Sequence, residues 1–231
     1  MYKKNINYLK NRFPAVLAVY YKFRFVFRAI YLKEPRAHLL WIIKRGDSIS
    51  HKKFDLDSNS IFFDVGGFEG DYTDKILNQY DCKSYIFEPH PEYFAKLQKK
   101  FMNKNNVKLF NYGLGGETKN LFLTDDSESS KVTDKKTELK IAVRDITEVT
   151  KELSIENIDL LKLNIEGMEY ELLEKLIRTG EIRKIDKLKI QFHESIPNAE
   201  LWREKIRNEL KNTHKEIWTY YMVWERWDRL N

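Results

Sequence analysis

From Ile61 onward, short apolar runs alternate with stretches whose apolar residues fall three and four apart, the periods of strands and helices. Strands are predicted at 61–65, 84–87, 107–112 and 188–192, and along the apolar run 158–165. Two more, 119–124 and 139–143, flank a polar loop at 125–136. Helices are predicted over 71–79, 92–103, 170–179 (stopped by Gly180) and 199–211. The aromatic stretch 217–230 supplies one or two final strands. Such alternation implies right-handed crossovers and an α/β fold, with a mostly parallel central sheet flanked by helices. Ahead of it, Val16, Val19, Tyr20, Phe23 and Phe27 keep helical spacing behind Pro14, which predicts an amphipathic helix. A second short helix is predicted over 36–44, ending at Gly46. The pattern thus divides the chain into an N-terminal helical extension, 1–50, and an α/β domain, 51–231.

Composition changes this picture mainly at the N-terminus. With 42% hydrophobic residues among 231, the chain can bury a sizeable core. The net charge of +6 is uneven: residues 1–33 hold eight basic side chains and no acid, while the other 198 hold 33 basic and 35 acidic ones. Lys22, Arg24 and Arg28 interrupt the only long apolar stretch, so neither a membrane-crossing helix nor a signal peptide is expected. A single cysteine, Cys82, excludes an internal disulfide and suits a reducing, cytoplasmic setting.

The chemistry gathers where predicted strands end, the rim at which open α/β sheets bind ligands. The first strand runs into Asp64-Val65-Gly66-Gly67-Phe68-Glu69-Gly70-Asp71, a turn whose glycines let backbone approach a ligand. An acid at the position of the first fingerprint glycine suits an ammonium-bearing ligand better than a pyrophosphate. The second strand ends in Glu88, some 20 residues past the glycines and placed to bind ribose hydroxyls; Pro89 and Pro91 set the turn after it. The run from Asp159 to Glu169 leaves an apolar strand through Asn164 and Glu166, residues that could equally cap the next helix. A fourth strand end brings His193 to the same side of the sheet.

Taken together these motifs resemble the FkbM family of methyltransferases. Asp64–Thr73 carries the family's D-V-G-x-x-x-G-D-Y-T pattern and Phe87–Pro89 its F-E-P. Residues 160–169 resemble its K-x-D-x-E-G-x-E signature, while 111–115 and the serine-bearing loop 127–130 match in kind. The resemblance spans roughly residues 60–195 and implies a Rossmann-like class I methyltransferase fold using S-adenosyl-L-methionine. It further implies O-methylation of a sugar, glycan or related natural product. Asp64, Gly66, Gly67, Phe68, Gly70, Tyr72, Thr73, Glu88 and Pro89 would line the cofactor pocket, with Tyr112, Gly113 and Asn164 near the adenine or methionine ends. Phe68 stands where the family often has Asn, and Asn164 where it usually has Asp. The second change removes a charge, so no metal is expected. His193 is the expected general base, oriented by Glu166 or Glu194, with Asn164 beside it.

Two other readings share parts of this pattern. A nicotinamide-dependent oxidoreductase would use the same glycine turn and acid, but Asp64 counts against it. A non-enzymatic nucleic-acid or ligand-binding module would use the basic N-terminus, but no recognised nucleic-acid motif is present, and none is expected as partner. Peripheral contact with a membrane through the basic, aromatic extension is a further expectation.

Overall fold

The computed structural model describes residues 14–123, 132–133 and 139–230. The serine-bearing loop at 127–130 and the basic residues Lys3, Lys4, Lys10 and Arg12 lie outside them. Two helices lead, α1 (Pro14–Tyr31) and α2 (Lys33–Ile43), separated by the extended backbone of Leu32. A single turn, α3 (Gly46–Ile49), follows. The α/β unit begins with β1 (Ile61–Val65), α4 (Asp71–Leu77), β2 (Lys83–Phe87), α5 (Pro91–Lys100) and β3 (Val107–Phe110). Next come β4 (Gly113–Gly115), β5 (Lys119–Leu123), β6 (Val132–Thr133), β7 (Leu139–Asp145) and α6 (Ile146–Glu152). The remainder is β8 (Leu160–Leu163), α7 (Glu169–Thr179), β9 (Lys187–Ile190), α8 (Ala199–Leu210), β10 (His214–Tyr220) and β11 (Trp224–Arg229).

The central sheet has the order β10-β11-β9-β8-β1-β2-β3. The pairs β3–β2, β2–β1, β1–β8 and β8–β9 are parallel, and β11 runs antiparallel to both its neighbours. Chain order reverses between β1 and β8, which places the ligand crevice at their carboxyl ends. Central strands are covered on both faces, so β1 and β8 read as continuous apolar runs instead of alternating ones. Phe62 packs with Phe54, Ile76 and Leu160 toward α4, while Phe63, Leu161 and Leu163 join the larger core beneath α7 and α8.

The elements expected from residue 61 onward are present, with ends moved by a few residues, and the aromatic tail forms two strands. Unforeseen is a second sheet, ordered β4-β7-β5-β6, inserted between β3 and β8. It is held to α7 by Lys119–Glu171 at 2.6 Å and Lys175–Asp145 at 2.6 Å. Asp145 also starts α6, its Oδ1 accepting the Thr147 N–H at 2.7 Å.

One register row crosses four central strands with charged residues: Asp64, Lys162, Lys189 and Arg226 are mutual neighbours and all buried. Lys162 pairs with Asp64, and Arg226 makes two 2.7 Å bonds to Asp228. Lys189 has no carboxylate within ion-pair distance among the described residues; its Nζ sits 3.9 Å from the Tyr72 ring centre and 3.6 Å from that of Trp224. Burial, reinforced by the Lys162 charge, pushes the Lys189 pKa well below the ordinary lysine value.

Candidate active site

The glycine turn after β1 is shaped by what lies beneath it. Gly66 has φ +82°, and a Cβ there would stand 2.0 Å from the Asn164 carbonyl oxygen, so β8 can approach β1 this closely only past a glycine. The N–H groups of Gly66 and Gly67 both donate to Phe87 O, at 3.0 and 3.3 Å, drawing the turn over the end of β2. Gly70, at φ +77°, packs on Phe101 and Leu97 of the α5 region.

The motif Asp64–Thr73 is contiguous in sequence, but its side chains divide between two sides. Asp64 is fully buried: Lys162 Nζ lies 2.7 Å from its Oδ1, and Thr73 donates to its Oδ2 at 2.6 Å. The ammonium that Asp64 meets is therefore the protein's own. Asp64 and Thr73, expected to line the cofactor pocket, are buried beneath the glycine turn, and Lys162 ties them to it by donating to Gly66 O at 2.6 Å. Tyr72, expected with them, turns toward Phe62 and Ser50, beneath the α3 segment. Phe68 points outward at φ +48°, its ring 4.2 Å from that of Tyr93.

Glu88 sits one residue beyond β2 and is buried. Its Oε2 accepts the Phe68 N–H and its Oε1 the His90 N–H, each at 2.8 Å. Burial raises its pKa, opposed by these two N–H donors. Each oxygen keeps a lone pair for a further donor. Pro89 packs toward Gly113, and Asn111 donates to Glu88 O at 3.0 Å, which fixes this rim. Tyr112 lies against Phe87, with the Arg144 guanidinium 5.2 Å from its ring centre.

On the other side of the crevice, β8 gives way to Asn164, Ile165 and Glu166. Asn164 Oδ1 is buried and has no hydrogen-bond partner among the described residues. Glu166 (φ +52°) and Gly167 (φ +105°) turn the chain into α7. His193 stands where the chain leaves β9, between two carboxylates. Its Nδ1 is 3.1 Å from Glu169 Oε1 and its Nε2 3.5 Å from Glu166 Oε1. Glu169 is fully buried and further accepts the N–H groups of His193 and Gly167, at 2.8 and 2.9 Å. Burial works against protonation of His193, but Glu169 and then Glu166 outweigh it and raise the pKa above the ordinary histidine value. Glu194, the other expected orienting group, has no ion pair with His193 among the described residues; burial, then the charges of Glu34 and Glu200, raise its pKa.

The structure thus brings Asn164, Glu166 and His193 together across from Gly66 and Glu88. Sequence reasoning missed Glu169 and Lys162. Both carried a signal, since a charge inside an apolar strand, or one residue into a buried helix face, must find a partner. Among the described residues, no group of three or more His, Cys, Asp or Glu could hold a metal ion.

In overall shape the chain is similar to an rRNA methylase from Streptococcus thermophilus, with TM-score 0.50 and 14% identity over 79% of this chain and 95% of that one. It is similar too to a putative rRNA-methylase from Clostridium thermocellum, with TM-score 0.53 and 9% identity over 80% of this chain and 95% of that one. The sheet order, the antiparallel β11 and the glycine turn at the β1/β8 crevice define a class I, Rossmann-like S-adenosylmethionine-dependent methyltransferase fold. At these identities the likeness shows the fold alone. The family model of the methyltransferase FkbM domain matches residues 58–227, and the chain belongs to that family. Its cofactor is S-adenosylmethionine, and a nicotinamide-dependent oxidoreductase is set aside. No curated protein matches the chain. The crevice fits the cofactor on its own evidence: Asn164 offers a buried acceptor with no partner among the described residues, and Glu88 offers free lone pairs.

Proposed function

We propose that this methyltransferase acts on a hydroxyl oxygen of a sugar, glycan or related natural product. The observation that carries the reading is His193, a partly buried imidazole held at Nδ1 by Glu169, with Nε2 near the crevice that Asn164 and Gly66 border. Hydroxyl acceptors have high pKa values and gain from a positioned base, which other methyl acceptors such as amines need less. S-adenosylmethionine supplies a methyl group on a sulfonium, already activated for transfer. Glu88 would accept from the ribose hydroxyls, and Asn164 Oδ1 would accept from a donor at the amino-acid end. Phe68 and Tyr112, with Pro89 and Gly113, would hold the adenine. Asp64, Thr73 and Lys162 hold the turn in shape. His193 Nε2 takes the acceptor's proton, and Glu166 stabilises the imidazolium that forms. The reading places the enzyme in the cytoplasm, where the buried, unpaired thiol of Cys82 stays reduced.

The test is S-adenosylhomocysteine release across free sugars, nucleotide-activated sugars, glycans and RNA. RNA belongs in the panel because two of the structural neighbours are an rRNA methylase and a putative rRNA-methylase. Turnover on a hydroxylated sugar or glycan is expected, and turnover on RNA alone overturns the reading. In parallel, Glu88→Gln should bind S-adenosylhomocysteine about ten- to a hundred-fold more weakly by calorimetry, the usual worth of a charged hydrogen-bond acceptor. Unchanged affinity removes Glu88 from the ribose site.

A further inference from the structure

Helix α1 carries its apolar side on the outside. Its inner side is marked by Ala29, which is buried, and Phe25, which is half-buried. At about 100° per residue, Val26, Val19, Ile30, Phe23, Phe27, Tyr20 and Tyr31 fall in one arc of about 140° on the opposite side. All seven are exposed, Phe23 at 70%, Val19 at 67% and Tyr31 at 72%. Lys22 borders one edge of the arc, and Arg24 and Arg28 border the other. The helix contains no acid.

The rest of the molecule fixes this face outward. Arg36 of α2 donates to the carbonyl oxygens of Ala29 and Ile30, clamping the last turn of α1 to α2. Helix α2 is in turn seated by Trp41, which packs on Trp218 and Tyr220 of β10, and by Lys33–Glu200 at 2.9 Å. A contiguous apolar patch of this kind marks an interaction site.

The charges select the partner. A second copy of the chain packed through the same arc would bring the bordering Lys and Arg of two helices together with no acid from either helix between them. A nucleic acid would satisfy those charges but leave Phe23, Phe27, Val19 and Ile30 in water. An anionic bilayer surface satisfies both: phosphates for the basic borders and acyl chains for the arc. No helix among the described residues is long and apolar enough to cross a membrane, so the geometry is that of a helix lying in the surface. We propose that α1 docks this enzyme on an anionic lipid bilayer, parallel to its plane, through the Phe23/Phe27 arc and its Lys22, Arg24 and Arg28 borders.

Co-sedimentation of the full chain with phosphatidylcholine vesicles, with and without phosphatidylglycerol, tests this. The protein is expected to pellet with the anionic vesicles and stay in solution with the neutral ones. Phe23→Ser/Phe27→Ser and Lys22→Gln/Arg24→Gln/Arg28→Gln remove the two halves of the contact separately. Each should weaken partitioning, the second by about a hundred-fold, with unchanged thermal melting and S-adenosylhomocysteine binding. Three results overturn the proposal: no pelleting with anionic vesicles at low salt; equal partitioning of both variants and the natural chain; or a dimer in solution that Phe23→Ser/Phe27→Ser converts to monomer without any lipid binding.

Discussion

At the scale of single residues, His193 and its two carboxylates make the sharpest claim. The base must be neutral to accept a proton, and Glu169 and Glu166 raise its pKa above the usual histidine value. Activity is therefore expected to rise with pH through an inflection above 6.5, the unperturbed value. Glu169→Gln removes the carboxylate that favours the imidazolium and should move that inflection to lower pH. His193→Ala should lower kcat by about 10²- to 10⁴-fold with S-adenosylhomocysteine affinity unchanged. Near-normal turnover in His193→Ala, or a pH profile indifferent to Glu169, leaves His193 without this role. The end-of-strand motifs Asp64, Glu88, Asn164 and His193 were legible in the sequence because each stands at a predicted strand-to-loop boundary. Glu166 beside His193 was expected as well, but the partners Lys162 and Glu169 were not. Lys162 meets Asp64 across 98 residues of chain and Glu169 meets His193 across 24, and spacing along the chain says nothing about contacts at that range.

At the scale of elements, the charged row across β1, β8, β9 and β11 has a measurable cost. Burial holds the Lys189 pKa well below the ordinary 10.5, so between the two values the unfolded chain binds more protons than the folded one. Stability contributed through Lys189 thus rises with pH across that window, and below it the full penalty remains. Lys189→Met, which keeps the stem between Tyr72 and Trp224, is expected to be more stable at neutral pH by about 1–3 kcal/mol. That advantage should shrink as pH approaches 10.5. Denaturant melts at a series of pH values decide it; a less stable variant with a constant gap would mean that the two rings stabilise a charged ammonium instead. The long elements were readable because their periods are set by burial on one or two faces. β4, with three residues, and β6, with two, are too short to show any period. α6 did leave a sign, since Asp145 precedes Glu148 by three residues in the manner of a helix start.

At the scale of the whole molecule, the cofactor crevice joins the two halves of the central sheet. Gly66 and Asn164 belong to different βα units and Glu88 to a third, so a ligand held by all three stabilises the folded chain as a unit. S-adenosylhomocysteine at about a hundred times its Kd should raise Tm by about 5–10 °C, while NADH should leave it unchanged. No shift with S-adenosylhomocysteine separates the crevice from global stability. The leading helices were expected from periodicity, but their docking on the sheet was not. It depends on Trp41 meeting Trp218 and Tyr220, residues near opposite ends of the chain. That contact has a consequence for solubility. β10 is an outer strand of the sheet, and Trp41 shields the aromatic side chains it presents. A chain shortened past α2 would bare Trp218 and Tyr220 beside a row of unpaired backbone groups, the setting in which sheets add strands from neighbouring molecules and precipitate. Removing the extension is therefore expected to promote aggregation.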